Sequence, residues 1–208
     1  MYRRDKISQW IADGEGASLD FKQHINSAPK IARSLVAFAN SRGGKIVVGV
    51  EDHGHIVGID VGEEQYELEL AGRKFCDPPI HIEFEPYEYG GRMLLIAHVE
   101  ESTQKPHIAI DKKGRRKIYV RIADECIVPN DTIRAVLESG DMNNLHRNAV
   151  YHQLRRELFQ YLKKYGQISV QDYIRLKSTT ERGAKRTLLD FLFEGLLYTK
   201  DGITFTLA

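Results

Sequence analysis

Lys112-Lys113-Gly114-Arg115-Arg116-Lys117 places five cations in six residues. Such a run can follow a sugar-phosphate backbone or enter a minor groove, where cations are drawn to the negative potential. At a hairpin tip it can equally be a solvated turn whose charge discourages strand association. Far upstream, Glu15-x4-Asp20-Phe21-Lys22 gathers two carboxylates and an amine in a short extended run. Asp20 and Lys22 are two apart, so on a strand they share a face and can pair. Asp52 lies in Glu51-Asp52-His53-Gly54, a turn composition in which an aspartate bonds its own backbone. A further polar set, Thr180, Arg182, Lys185 and Arg186, falls at helical spacing opposite Ala184, Leu188, Leu189 and Leu192.

Other chemistries find less support. Arg42-Gly43-Gly44-Lys45 is followed by Ile46 and an apolar run, not by the Ser or Thr and helix that a Walker loop needs, so ATP hydrolysis is not indicated. His53 and His55 share a face but lack a third ligand. Cys76 and Cys126 form no CxxC pair and read as reduced thiols. No cofactor is expected. The apolar runs Ile46–Val50 and Met93–Ala97 are too short to span a bilayer, and Tyr2-Arg3-Arg4-Asp5-Lys6 is unlike a secretory leader, so a cytoplasmic protein without membrane contact is expected. The 208 residues, 42% hydrophobic, suffice for one large domain or for a medium and a small one. Their net charge of +1 hides an asymmetry: 150–208 hold 10 Lys+Arg against 6 Asp+Glu, and 1–149 hold 20 against 23. The basic excess therefore sits at the C-terminal end, where it can supply phosphate contacts.

These groups need elements to hold them. Ile7, Trp10 and Ile11 predict an opening helix closed by Asp13-Gly14. A strand over 18–23, a helix over 30–40 that starts behind Pro29, and a two-stranded hairpin over 45–60 follow. A second amphipathic helix is predicted over 62–75. Strands are predicted over 81–87, 92–99, 107–111 and 117–122, and a closing helix over 131–138 capped by Asn130 or Asp131. The polar run 139–144 reads as a domain boundary. Beyond it, helices over 150–165, 169–176 and 180–196 precede a hairpin over 197–207 turning at Asp201-Gly202.

Glu15 to Asp60 carries three motifs in order: Glu15-x4-Asp20-Phe21-Lys22, Ala37-Phe38-Ala39-Asn40-Ser41-Arg42-Gly43-Gly44, and the two apolar runs flanking Glu51 to Gly54. This trio resembles the Schlafen-type AlbA-like domain, a nucleic-acid-binding module once described as a divergent AAA domain. Pro78-Pro79, Gly90-Gly91 and Tyr119-Val120-Arg121 extend the likeness to about residue 139. The resemblance implies an α+β fold with a mixed sheet. In its nuclease members acidic residues of the corresponding motifs form a carboxylate cluster. Transferred to this chain, Glu15, Asp20 and Asp52 would hold Mg²⁺ or Mn²⁺ and activate water, with Lys22 neutralising developing charge.

The three helices and hairpin after residue 145 resemble a small winged helix-turn-helix domain, whose third helix enters the major groove. That makes Thr180, Arg182, Lys185 and Arg186 the candidate contacts. The combined expectation is an AlbA-like domain over 1–139 and a winged helix over 145–208. Together they form a DNA-binding transcriptional regulator, with RNA as the other candidate ligand and a homodimer reading paired half-sites. A metal-dependent nuclease is the competing class.

Overall fold

The structure, a computed structural model, describes residues 5–138, 149–199 and 201–208. It divides after Val128 into two compact units. The first opens with α1 (Lys6–Asp13), whose start is capped by the Asp5 carboxylate accepting from the Ile7 N–H at 2.8 Å. Gly14, at φ 78°, ends it. β1 (Leu19–Lys22), α2 (Ala28–Asn40) and β2 (Gly44–Val48) follow, β1 and β2 pairing in parallel with α2 as the crossover. After α3 (Val61–Lys74) and the short β3 (Cys76–Asp77), β4 (Glu83–Tyr89) and β5 (Arg92–Val99) form an antiparallel pair. β5 docks antiparallel on β2, so the mixed sheet runs β1-β2-β5-β4.

Period-two alternation sorts the side chains of that sheet. Ile46, Val48, Leu95, Ala97 and Val99 meet α2 and α3 on one face. Val47, Leu94 and Ile96 meet Ile7 and Trp10 of α1 on the other. Helices thus cover both faces, which is why β2 and β5 are apolar almost throughout. The chain completes this unit with β6 (Ile108–Ile110), β7 (Arg116–Ile118), β8 (Val120–Ile122) and β9 (Glu125–Ile127). β3, β6 and β7 make one small sheet, and β8 and β9 another.

Two expectations are corrected here. The predicted 45–60 hairpin does not form a second strand: β2 pairs with β1 and β5, and only an isolated bridge joins Val50 to Ile56. Gly49 is the cause. It sits at φ 102°, where a Cβ would lie 2.6 Å from Leu94 Cδ2, and its carbonyl accepts from both Val57 and Gly58 N–H groups. The ladder is thereby replaced by a bulged crossing. The single strand predicted over 117–122 splits at Tyr119, whose carbonyl accepts from Asn40 Nδ2 at 2.9 Å instead of joining a ladder.

The second unit begins with α4 (Asp131–Glu138), which Asn130 caps by accepting from the Ile133 N–H at 3.0 Å. α4 packs on the helix that spans Glu181–Phe193, so this division falls before α4, whereas the sequence placed α4 at the end of the first domain. The polar break 139–144 lies outside the described residues. α5 (Ala149–Tyr165), β10 (Ile168–Ser169), α6 (Val170–Lys177), α7 (Glu181–Phe193), β11 (Leu197–Tyr198) and β12 (Thr204–Leu207) complete the unit. Ser169 and Asp172 form a reciprocal capping box at the start of α6. α7 stops earlier than predicted because Gly195, at φ 70°, bonds back to Leu192 while Leu196 bonds to Phe191. The three strands form an antiparallel sheet, β10-β12-β11. Among the described residues no helix is long and apolar enough to cross a membrane.

Candidate nucleic-acid interface

The five-cation run spans the turn between β6 and β7 and the first two residues of β7, and Asp111 organises the turn. Its Oδ1 accepts from the backbone N–H groups of Lys113 at 2.8 Å and Arg115 at 3.0 Å, while Oδ2 takes Arg115 Nε at 2.6 Å. These hydrogen bonds hold the Asp111 carboxyl below the usual carboxylate range. The tip is therefore an ordered turn. Arg116 pairs with Asp77 of β3, the strand on the far side of β6. Lys112, Lys113, Arg115, Arg116 and Lys117 are all exposed. With Arg115 and Arg116 engaged by acids, Lys112, Lys113 and Lys117 are the cations of the run without an acidic partner among the described residues.

The carboxylate motif is knotted into the fold. Asp20, 3% exposed, faces Lys22 Nζ at 2.9 Å and Arg121 Nη2 at 3.3 Å, with Ser34 Oγ at 3.4 Å. Glu15 Oε1 accepts from the Phe21 N–H at 2.6 Å and lies 3.9 Å from Lys22 Nζ. Burial, reinforced by the adjacent Asp20 charge, pushes the Glu15 carboxyl above its ordinary value against the pull of the Phe21 N–H. Glu15, Asp20 and Lys22 thus come together. Asp52 does not join them: it is exposed in a turn closed by backbone bonds from Glu51 to His55 and from Gly54 to Glu51. Among the described residues no group of three or more His, Cys, Asp or Glu is placed to hold a metal ion. Of the Glu15–Asp20–Asp52 set expected for a nuclease, Asp20 is engaged by Lys22 and Arg121, and Asp52 lies in an exposed turn.

α7 holds its candidate residues less freely than their spacing suggests. Thr180 Oγ1 caps the helix by accepting from the Gly183 N–H at 3.1 Å, and Lys185 pairs with Glu181 one turn back at 2.6 Å. Arg182 is exposed and Arg186 half-buried. The opposite face, including Ala184, Leu188, Leu189 and Leu192, is buried as its periodicity predicts.

Spacing did not disclose a buried polar network that organises the first unit. Asn40 is fully buried at the end of α2; its Nδ2 donates to the carbonyls of His107 and Tyr119, each at 2.9 Å, and its Oδ1 accepts from the His107 N–H at 2.7 Å. Ser41 Oγ accepts from the Arg121 N–H at 2.8 Å. Arg121 then reaches the carbonyls of Gly16 at 3.1 Å and Leu19 at 3.0 Å. Its guanidinium also lies 5.1 Å from the Phe38 ring centroid. Asn40, Ser41 and Arg121 all belong to recognisable motifs, yet their partners are remote in sequence. His107 is buried as well. Its Nδ1 faces the Pro78 carbonyl at 2.8 Å, which can only accept, so Nδ1 carries the proton and Nε2 accepts from Ser102 Oγ at 2.7 Å. Burial lowers its pKa below the ordinary histidine value.

No curated protein matches the chain. Among solved structures, the chain resembles the DIP2311 protein of Corynebacterium diphtheriae at 20% identity and a TM-score of 0.40, covering 56% of this chain and 25% of that one. The chain thus spans a quarter of that relative's length. It also resembles the N-terminal domain of a RecG-related protein of Nitrosomonas europaea at 24% identity and a TM-score of 0.45, covering 68% of this chain and 95% of that one. The Schlafen, AlbA_2 family model matches residues 15–130, more than half of the sequence and all three ordered motifs, and the chain belongs to that family.

Proposed function

We propose that the protein binds nucleic acid, DNA in the first instance, as a regulator of transcription. The observation that carries this reading is the β6–β7 tip and the start of β7, ordered and exposed, with three cations that have no acidic partner among the described residues. A pre-organised cationic turn can meet phosphates without losing much conformational freedom on binding. The second unit, read as a winged helix, is a second contact module; tethering it to the first raises its effective concentration at the same duplex. Half-site recognition by a homodimer fits such a regulator. Binding of this kind requires no cofactor. The nuclease alternative has less support, since Asp20 is engaged by Lys22 and Arg121 and Asp52 stands apart.

The test is anisotropy titration of unrelated labelled duplexes across a salt series. Replacing Lys112, Lys113 and Lys117 with Gln should weaken binding equally for every sequence and reduce the salt slope by about 0.9 per lost phosphate contact. Wild-type chain that shows no salt-dependent binding to duplex or RNA would overturn the reading.

A further inference from the structure

Among the described residues of the second unit, α5 carries a concentrated positive charge. Arg155, Arg156, Lys163 and Lys164 are exposed, and among the described residues none has a carboxylate partner. The helix's acid, Glu157, is taken by Lys177 of α6. At about 100° per residue, Arg156 and Lys163 lie on one line along the helix, opposite Leu154 and Leu158, while Arg155 and Lys164 border that line on its two sides, Arg155 close to the line of Leu162. Aromatic rings steady two of the cations: Arg155 lies 5.5 Å from the Phe159 centroid and Lys164 lies 5.0 Å from that of Tyr165. α7 offers less, because Lys185 is paired with Glu181 and Thr180 is committed to its cap.

We propose that the outer face of α5 is the phosphate-binding surface of the second unit, laid across the major groove of B-form DNA. The inference rests on the nucleic-acid reading above and names the surface that serves it. Seven to nine residues separate the two ends of the cationic face, about 10–13 Å at a rise of about 1.5 Å per residue. The major groove of B-DNA is about 12 Å wide, so the N-terminal pair meets one phosphate rail and the C-terminal pair the other. An A-form duplex has a deep, narrow major groove that does not offer this span. Charge complementarity supplies affinity, and the fixed separation supplies the preference for B-form geometry.

The experiment uses the full chain and duplexes of equal length, DNA and RNA, titrated across a salt series. Arg155→Gln, Arg156→Gln, Lys163→Gln and Lys164→Gln are combined, because Gln keeps helix propensity close to that of Arg and Lys. Circular dichroism and melting temperature verify the fold. A two-site variant, Arg156→Gln with Lys163→Gln, provides a milder perturbation should the four-site variant fold poorly. The expected result is weaker DNA binding with the salt slope reduced by up to about 3.6 for four contacts, or about 1.8 for two. Exchanging Arg for Lys and Lys for Arg at the four positions should preserve the slope. Binding and slope unchanged in a folded variant, while the β6–β7 variant loses affinity, would overturn this surface alone. An equal loss of duplex RNA binding would overturn the groove-spanning geometry. Loss of adhesion to phosphatidylserine vesicles with DNA binding intact would instead make α5 a membrane-surface helix. Failure of the wild-type chain to bind any duplex would sink both this inference and the function it rests on.

Discussion

Arg121 and Asp20 stand 101 residues apart in sequence, yet Nη2 and Oδ1 lie 3.3 Å apart inside the first unit, with side chains 2% and 4% exposed. The same guanidinium holds the carbonyls of Gly16 and Leu19, so one side chain fastens the acidic motif to β8. A buried pair of this kind adds little against an apolar replacement of both partners, but removal of one partner strands the other.

Arg121→Met should therefore destabilise the protein by about 3–5 kcal/mol in urea denaturation. Asp20→Asn combined with Arg121→Met should cost less than the two single changes added together. A single-variant loss below about 1 kcal/mol would show that Asp20 is satisfied by Lys22 and Ser34 alone.

The sequence disclosed what depends on local rules. α1, α2 and α5 follow their apolar spacing, and β5 spans the predicted 92–99 because the Gly90-Gly91 turn and the apolar run from Met93 define it. Pairing was less legible. Val50 and Ile56 flank a turn and look like hairpin partners, but Gly49 breaks the ladder and β5, whose Leu95 pairs with Val48 and Val99 with Gly44, takes β2 from far downstream. At the candidate site, the pairing of Asp20 with Lys22 follows from strand geometry alone. The Arg121 contact does not, because nothing in the spacing of Glu15, Asp20 and Lys22 points to a cation on β8. The five-cation run was visible as charge, whereas its rigidity depends on Asp111, an acid just before it whose role appears only when the turn is formed.

Two groups should shape the pH dependence of stability in opposite directions. Glu15 has a folded-state pKa above its ordinary 4.5, chiefly through burial. Its favourable contribution is complete below 4.5 and is lost as pH rises through the folded value. His107 has a folded-state pKa below its ordinary 6.5, again through burial, so its contribution is present above 6.5 and fades as pH falls toward the folded value. Denaturation between pH 4 and pH 8 should thus find Glu15→Gln gaining on wild type as pH rises. His107→Gln should flatten the decline below 6.5. Parallel pH profiles for wild type and both variants would refute the assignments.

The carboxylates also separate a binding protein from a nuclease. A site with three converging carboxylates would repel itself without metal and gain thermal stability when Mg²⁺ or Mn²⁺ binds. Here Asp20 already has Lys22 and Arg121, and Asp52 is an exposed residue of the turn after β2. Millimolar Mg²⁺ or Mn²⁺ should consequently leave the melting temperature unchanged. Asp52→Asn should alter stability by no more than about 0.5 kcal/mol, as expected for a surface substitution. Asp52→Asn should not change duplex affinity, because the proposed phosphate contacts are cations on β7, its turn and α5. A metal-dependent rise in melting temperature together with nucleic-acid cleavage abolished by Asp52→Asn would reverse this assignment and make the carboxylates catalytic.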